Sequence, residues 1–293
     1  MRSETGAPTG LARRGRRLSD RETEQRMLRT AVAMVRRDGL TVSLDSISLE
    51  DVIRDADVSR SAVYRRWPYK DLFISDLVKE LAKNATPEIV DAEIELVRRI
   101  LAEHQDRLGT PELRHGLLVE LFRQLALFDF ETMYRSPGWR TYLALHATFQ
   151  GLADGTLRDQ VQAALAESER TQNARVARAW RDMTAVFGYR LRPGSGVTFE
   201  SLATLLSATM HGLIIAALSA PEVVGHRVRA RPFGAVDEQE WSLPALGLGS
   251  FAAAFLEPDP DVEWDEHRLA RIHEVLRTWV PSEPSEIPDT SAT

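Results

Sequence analysis

The stretch from Ser59 to Lys70 carries four basic side chains and no acidic one. On a helix with about 100° between successive residues, its polar residues fall on one side and its apolar residues on the other. The polar side consists of Arg60, Ser61, Tyr64 and Arg65, and the apolar side of Ala62, Val63 and Trp67. Arginine can bond guanine O6 and N7 or a phosphate with two N–H groups, and Ser and Tyr hydroxyls suit phosphate oxygens. The pattern predicts a DNA-binding helix, and a merely solvated charged face is the alternative.

Two helices and a tight turn are predicted before this segment. Apolar residues recur at helical spacing from Arg21 to Arg37, and Asp38-Gly39 supplies an end to that helix. Ser48 precedes an acidic residue three positions later, which is the capping pattern of a second helix that runs to about Ala56.

Asp57 is predicted to make the turn, because aspartate tolerates the left-handed backbone region that such turns require. Ser59 caps the third helix and Pro68 ends it. A helix, a tight turn and a helix with a basic outer side indicate a helix-turn-helix, whose second helix fits the major groove of DNA.

Charge is divided unevenly along the 293 residues, whose net charge is −6. Met1–Lys70 holds 15 Lys and Arg against 10 Asp and Glu, and the remainder holds 22 against 33. A basic module on an acidic body favours contact with a polyanion. The segment Met1–Leu18 is predicted to be a disordered basic arm that reaches the minor groove. Its clustered arginines are Arg13, Arg14, Arg16 and Arg17.

The segment Val58–Phe73, VSRSAVYRRWPYKDLF, resembles the signature of the tetracycline-repressor (TetR) family of bacterial regulators. The resemblance covers about Ser19 to Val78. It departs from the family at Asp57, where glycine is usual, at Trp67, where phenylalanine is usual, and in a longer link from Leu40 to Ser48.

The resemblance implies DNA contacts for residues at both ends of the helix-turn-helix. Arg60 and Ser61 would enter the major groove, and Arg65 would touch a base or a phosphate. Phosphate contacts are implied for Ser48, Tyr64, Arg66 and Lys70. Ser59, as the cap of the reading helix, joins this group.

The remainder of the chain has a helical pattern with no sustained strand alternation, so the expected fold class is all-α. We expect four parts: a disordered arm at 1–18, the helix-turn-helix domain at 19–69, a larger ligand-binding and dimerisation domain at 70–280, and a disordered tail at 281–293.

Aromatic residues concentrate in the middle helices, where a pocket for an apolar or aromatic small molecule is expected. The candidate ligand residues are Phe122, Trp139, Tyr142, His146 and Trp180. Aromatic residues at helical spacing also serve as ordinary core, which is the alternative for each of them.

Ser201–Ala220 has no formal charge and is as long as a membrane span. Its four further hydroxyl residues, its histidine and its lack of a basic flank favour a buried helix instead. Together with Leu246–Leu256 it is the predicted interface of a homodimer. The interface residues expected on Ser201–Ala220 are Leu206, Met210, Gly212, Leu213 and Ala216.

The absence of cysteine excludes disulfides, thiolate-bound metals and cysteine nucleophiles, and it fits the cytoplasm. Common phosphate-loop, hydrolase and metalloprotease motifs are absent, so no metal, cofactor or enzymatic activity is expected. The sequence predicts a repressor that binds a palindromic operator as a dimer and is released by a small ligand. The alternatives are a DNA-binding activator, or an all-α enzyme or ligand carrier whose helix-turn-helix has another use.

Overall fold

The computed structural model describes residues 18–38, 47–83, 91–104 and 108–278. The predicted contacts of Arg13, Arg14, Arg16 and Arg17 and the tail at 281–293 lie outside the described residues. The domain boundaries stay a prediction.

Four helices form the N-terminal part: α1 (Asp20–Asp38), α2 (Leu49–Asp55), α3 (Arg60–Arg66) and α4 (Lys70–Lys83). Helix α1 begins with a reciprocal cap, because Ser19 Oγ accepts from the Glu22 amide at 3.2 Å and Glu22 Oε2 accepts from the Ser19 amide at 2.7 Å. Helix α1 packs against α2, α3 and α4 through an apolar side that includes the buried Met27, Ala31 and Val35.

Eight further helices follow in the described part of the chain. They are α5 (Asp91–Glu103), α6 (Pro111–Arg135), α7 (Pro137–Gln150), α8 (Thr156–Val186), α9 (Phe199–Ser219), α10 (Glu222–Gly225), α11 (Leu243–Phe255) and α12 (Glu266–Thr278). Hydroxyl side chains begin four of them by accepting the amide N–H three residues later. These caps are Thr110, Ser136, Thr198 and Ser242.

The predicted all-α class is confirmed, with four short strands in addition. Strand β1 (Tyr189–Leu191) pairs antiparallel with β4 (Leu256–Pro258), and β2 (Arg227–Ala230) pairs antiparallel with β3 (Gln239–Ser242). These strands were not predicted, because no strand alternation is sustained in the sequence. Segments of three or four residues are too short to establish an alternating pattern, and their pairing partners come from elsewhere in the chain.

The larger core lies where α6, α8, α9 and α11 pack on one another. Its fully buried large side chains include Phe130, Trp139 and Trp241. Helix α4 packs along α8, and α7 contacts both α1 and α4. The N-terminal helices are therefore joined to the larger core through α4 and α7.

Helix α9 is the one helix among the described residues that is long and apolar enough to cross a bilayer. One side of it is buried against the α6, α8 and α11 core of the chain itself.

Candidate nucleic-acid interface

The turn between α2 and α3 has the geometry that the sequence predicts. Asp57 adopts a φ of 51°, in the left-handed region. Ser48 Oγ accepts from the Asp51 amide at 3.3 Å, and Ser59 Oγ accepts from the Ala62 amide at 3.3 Å. The two caps and the left-handed turn fix the angle at which α3 leaves α2.

Helix α3 separates its apolar and polar sides. Val63 and the following Trp67 are fully buried, and the Trp67 ring meets Phe73 edge to face at 5.2 Å. The polar residues predicted for the opposite side are exposed, namely Arg60, Ser61, Tyr64 and Arg65. This exposed side of α3, together with Glu50 of α2, is called the recognition face below.

Glu50 bonds two of the predicted DNA-binding side chains. Its Oε2 lies 2.7 Å from Arg60 Nη2, and its Oε1 accepts a hydrogen bond from the Tyr64 hydroxyl at 2.8 Å. This hydrogen bond to a carboxylate raises the pKa of the Tyr64 hydroxyl. Sequence reasoning did not single out Glu50. The available signal was its place on α2, ten residues before Arg60 and on the other side of the turn.

Arg65 also has an acidic partner, because its guanidinium pairs with Asp20 at the start of α1. About half of each side chain stays exposed in that pair. Exposed ion pairs of this kind are weak, so Arg65 can exchange Asp20 for a stronger anion.

Arg66, for which the family resemblance implies a phosphate contact, is partly exposed and pairs with two acidic residues of neighbouring helices. Its Nε lies 2.9 Å from Glu24 Oε2 on α1, and its Nη2 lies 2.9 Å from Asp76 Oδ2 on α4. The guanidinium also lies over the Trp67 ring, 5.0 Å from its centroid. Arg66 therefore links α3 to α1 and to α4. It lies on a different side of α3 from Arg60 and Tyr64.

Asp76 collects further bonds in this cluster. Its Oδ2 accepts from the Trp67 indole N–H at 2.9 Å, and its Oδ1 pairs with Lys79. Burial alone would raise the pKa of Asp76, but the hydrogen bonds from Lys79 and Trp67 and the charges of Lys79 and Arg66 together lower it.

Lys70 is the first residue of α4, as the resemblance to the TetR signature places it. The structure adds two large exposed side chains beside it: Tyr69 is 73% exposed and Leu72 is 48% exposed. Their exposure was not predicted. The only sequence signal was their place next to the lysine.

The candidate ligand residues fall into two groups of ring contacts in the described part of the chain. Phe122 of α6 stacks on Trp180 of α8 with ring centroids 4.5 Å apart. On α7, Tyr142 lies between Trp139 at 4.7 Å and His146 at 4.1 Å. The first pair and the α7 group share no ring contact among those described.

Two residues that the ligand prediction omitted complete the α7 group. His211 of α9 lies 4.6 Å from the Trp139 ring, and Glu169 of α8 accepts a hydrogen bond from the Tyr142 hydroxyl at 2.6 Å. Burial is the main cause that raises the pKa of Tyr142, and the hydrogen bond to Glu169 raises it further. Burial also lowers the pKa of His211. The Trp139 indole N–H is buried and has no hydrogen-bond partner among the described residues, which favours a ligand or water with an acceptor oxygen there.

A pocket of about 60 Å³ is lined by none of these rings. Its lining includes His104, Glu120 and Asp237. A drug-sized ligand requires roughly 300–1,000 Å³, so this pocket is too small to be the predicted ligand site. Within the described residues, no group of three or more His, Asp or Glu side chains is arranged to hold a metal ion.

The predicted dimer residues divide between the two sides of α9. Leu206 and Met210 are 3% and 6% exposed, because they pack into the core of the chain itself, and this corrects their expected place at an exposed interface. Gly212 is exposed, with open space where a Cβ would stand, and Leu213 and Ala216 are partly buried.

The exposed side of α9 also contains three large apolar side chains, Leu205, Ile215 and Leu218. Ile215 and Leu218 are 52% and 53% exposed. Together with Gly212 these residues are called the α9 face below.

Comparison with known proteins gives limited likeness. No family model and no curated protein matches the chain. Among solved structures, SmeT, the repressor of the Stenotrophomonas maltophilia multidrug efflux pump SmeDEF, has 20% sequence identity and a TM-score of 0.33. That match covers 81% of this chain and 92% of SmeT. A SmeT–triclosan complex has 18% identity and a TM-score of 0.38, and covers 82% of this chain and 99% of the other. The function is therefore argued from the residues of this chain.

Proposed function

We propose that this protein is a ligand-responsive transcriptional repressor that binds duplex DNA through α3. The observation that carries the proposal is the sorting of α3: Val63 and Trp67 are buried, whereas Arg60, Ser61, Tyr64 and Arg65 are exposed after a capped, left-handed turn. The resemblance of Val58–Phe73 to the TetR signature supports the same function.

The chemistry of the recognition face suits the major groove. Arg60 can donate two N–H groups to guanine O6 and N7, which is the commonest base-specific contact. Ser61 and Tyr64 can donate hydroxyl hydrogen bonds to phosphate oxygens, and Lys70 can neutralise a phosphate beside them. Ser48, at the start of α2, can contact a neighbouring phosphate. Arg66 is left out of this interface, because its guanidinium pairs with Glu24 of α1 and Asp76 of α4.

A homodimer is part of the proposal, since one short reading helix makes few base contacts. Two copies joined by a two-fold axis would present α3 to successive major grooves, about 34–36 Å apart. The α9 face supports this assembly, because Leu205, Ile215 and Leu218 expose apolar surface next to Gly212. Helix α11 packs beside α9 and extends the same region.

The α7 group, completed by His211 of α9, is the proposed ligand site. It suits a small aromatic molecule that carries a hydrogen-bond acceptor. Trp139 offers an unpartnered buried N–H, and Tyr142, His146 and His211 offer ring surfaces. Helix α7 contacts α1 and α4, so a ligand that moves α7 changes the packing beneath the recognition face. Such coupling is typically ~1–3 kcal/mol and reciprocal, so bound DNA should weaken the ligand by the same factor.

Selection from random duplex DNA tests the function directly. Purified protein is expected to enrich a palindromic sequence, and Arg60→Ala, Tyr64→Ala and Lys70→Ala are each expected to weaken binding to it. Arg60→Ala should also relax the preference for one base at a cost of ~1–3 kcal/mol, whereas Lys70→Ala should weaken all sequences alike. If no sequence is enriched, or if all three variants bind like the parent, the proposal is wrong.

A screen of small molecules against the complex tests the ligand part. A compound that releases the operator should bind the free protein more tightly than the protein–DNA complex, as measured by calorimetry. Trp139→Phe keeps an aromatic ring but removes the indole N–H, together with part of the ring system, and should weaken a ligand that accepts its hydrogen bond. A ligand with equal affinity for free and DNA-bound protein is not an inducer.

A further inference from the structure

We infer that Glu50 is a specificity-determining residue of the recognition face. Its carboxylate holds Arg60 against Tyr64 in one direction that suits one arrangement of bases, and its charge keeps the Arg60 guanidinium from settling on the phosphates of any DNA. This inference rests on the proposed DNA binding and assigns a role to an acidic residue within a basic surface.

The geometry behind the inference is a single carboxylate shared by two reading side chains. Glu50 Oε2 lies 2.7 Å from Arg60 Nη2, and Oε1 accepts from the Tyr64 hydroxyl at 2.8 Å. Arg60 and Tyr64 are one helical turn apart on α3, so they are neighbours on its surface. Glu50 spans both from α2 and thereby fixes the direction of each side chain.

Stability of the fold does not explain this arrangement. The side chains of Arg60 and Glu50 are 74% and 45% exposed, and ion pairs at such exposure contribute little to folding. A carboxylate on a surface that approaches phosphates also opposes binding through charge repulsion. Its place between Arg60 and Tyr64 is therefore explained by what it does to their choice of partner.

The choice of partner follows from the donors of arginine. The guanidinium has five N–H groups, and the bond to Glu50 occupies one end of it. The remaining donors can still meet O6 and N7 of a guanine, which are uncharged acceptors in the groove. A phosphate would instead bring a second negative charge next to Glu50. The pair thus favours base edges over backbone, and only the base edge carries sequence information.

Asp51 supplies a matched control on the same helix. It is the next residue along α2, and its side chain is 43% exposed, close to the exposure of Glu50. Its partner is Arg54 of its own helix, with Nη1 and Oδ1 2.7 Å apart. Asp51→Asn therefore removes the same charge from α2 while the contacts of Arg60 and Tyr64 with Glu50 stay intact.

The experiment compares Glu50→Gln with Asp51→Asn in the full-length protein. Fluorescence anisotropy measures the Kd for the selected operator and for a scrambled duplex of equal composition, over a range of salt concentrations. Glutamine keeps the size of the side chain and one acceptor oxygen but removes the charge.

Glu50→Gln is expected to bind the scrambled duplex roughly tenfold more tightly and to lower the operator-to-scrambled ratio by a similar factor. Because Arg60 becomes able to neutralise a phosphate, the slope of log K against log salt should steepen by about 0.9. Asp51→Asn should leave the ratio close to that of the parent.

Three results would count against the inference. Equal ratios and slopes for Glu50→Gln and the parent would overturn it, as would equal changes in Glu50→Gln and Asp51→Asn. Suppose that the parent binds the operator and Arg60→Ala abolishes that binding. Either of these two results then rejects the role of Glu50, and the proposed DNA binding stands. A parent protein that binds no duplex would reject the DNA-binding function itself, and the role of Glu50 with it.

Discussion

Trp67 donates its indole N–H to Asp76 Oδ2 at 2.9 Å, which joins the residue after α3 to the middle of α4. Trp67 is fully buried, so the donor of this hydrogen bond is shielded from water. Helix α4 in turn packs along α8. The orientation of the recognition face is thereby linked, through one partly buried carboxylate, to the helices that carry the proposed ligand site.

Asp76→Ala is expected to lower the free energy of unfolding by ~1–3 kcal/mol, because it leaves the Trp67 N–H without its acceptor and removes one of the two acidic partners of Arg66. Asp76→Asn should cost less, since its amide oxygen can still accept from Trp67. Urea denaturation followed by tryptophan fluorescence measures both. Equal stability of Asp76→Ala and the parent would contradict this account of the cluster.

Arg66→Ala should differ in kind from Arg60→Ala. It removes the bonds to Glu24 and Asp76, so the free energy of unfolding should fall by roughly 1–2 kcal/mol. Arg60→Ala removes an exposed side chain and should leave stability within about 0.5 kcal/mol of the parent. Chemical denaturation and DNA titration of both variants check this. A stable Arg66→Ala variant with impaired DNA binding would instead show that Arg66 contacts a phosphate, as the family resemblance implies.

The pH dependence of stability should report His211. Burial and the charge of His146 lower its pKa, and this outweighs the opposing effect of Glu169. Below the ordinary histidine pKa of about 6.5 the unfolded chain binds the proton more readily than the folded chain. Stability should therefore decrease as the pH falls from 7 to 5.

His211→Phe should flatten that decrease, because it keeps an aromatic ring against Trp139 and removes the titrating group. The exposed His226→Gln serves as the control and should follow the parent profile. The measurement is the urea midpoint at half-unit intervals of pH. If His211→Phe and the parent lose stability in parallel, burial of His211 has no thermodynamic consequence in this range.

Gly212→Arg should break the proposed dimer, because it inserts a charge into the middle of the α9 face. Operator affinity should collapse although the recognition face is unchanged. Ala102→Arg, on an exposed position of α5, is the matched control and should remain dimeric. Sedimentation gives the outcome. A parent chain that runs as a monomer of about 33 kDa at micromolar concentration, yet binds a palindrome tightly, would exclude this dimer.

Asp57→Val should lower the free energy of unfolding by ~1–2 kcal/mol, since a β-branched residue is disfavoured at a φ of 51°. Glycine accepts this backbone conformation without strain, but it also has greater freedom in the unfolded chain. Because the two effects offset each other, Asp57→Gly should leave the free energy of unfolding close to that of the parent. Thermal unfolding of the two variants separates these effects. Equal losses for valine and glycine would show that the carboxylate, and not the backbone angle, matters at this position.

Sequence reasoning succeeded where the cause of the structure is local. Ser48, Asp57 and Ser59 each act on backbone groups within three residues, so their types and spacing were sufficient to predict the caps and the turn. The helices of the larger core were predicted for a similar reason, because apolar periodicity persists over many residues.

It failed where the partner is distant in the chain. Arg66 looks like its neighbour Arg65, and only the positions of Glu24 and Asp76 distinguish it. Leu206 and Met210 belong to a helix that is apolar on every side, so no pattern could separate its core side from its exposed side. Glu50 was missed because the search for a DNA-binding surface looked for positive charge.

The antiparallel pairing of β1 with β4 sets Leu191 beside Leu256. The chain between them therefore begins and ends at the same place in the fold. Residues 192–255, with α9, α11 and the β2–β3 hairpin, are therefore one continuous segment whose two ends meet and whose helices complete the larger core. Under the proposed dimer, almost everything that chooses the second subunit is encoded in this one piece. A duplicated gene could replace that piece to acquire a new subunit partner while its operator stays the same, and two sister regulators would then avoid mixed pairs in one cell.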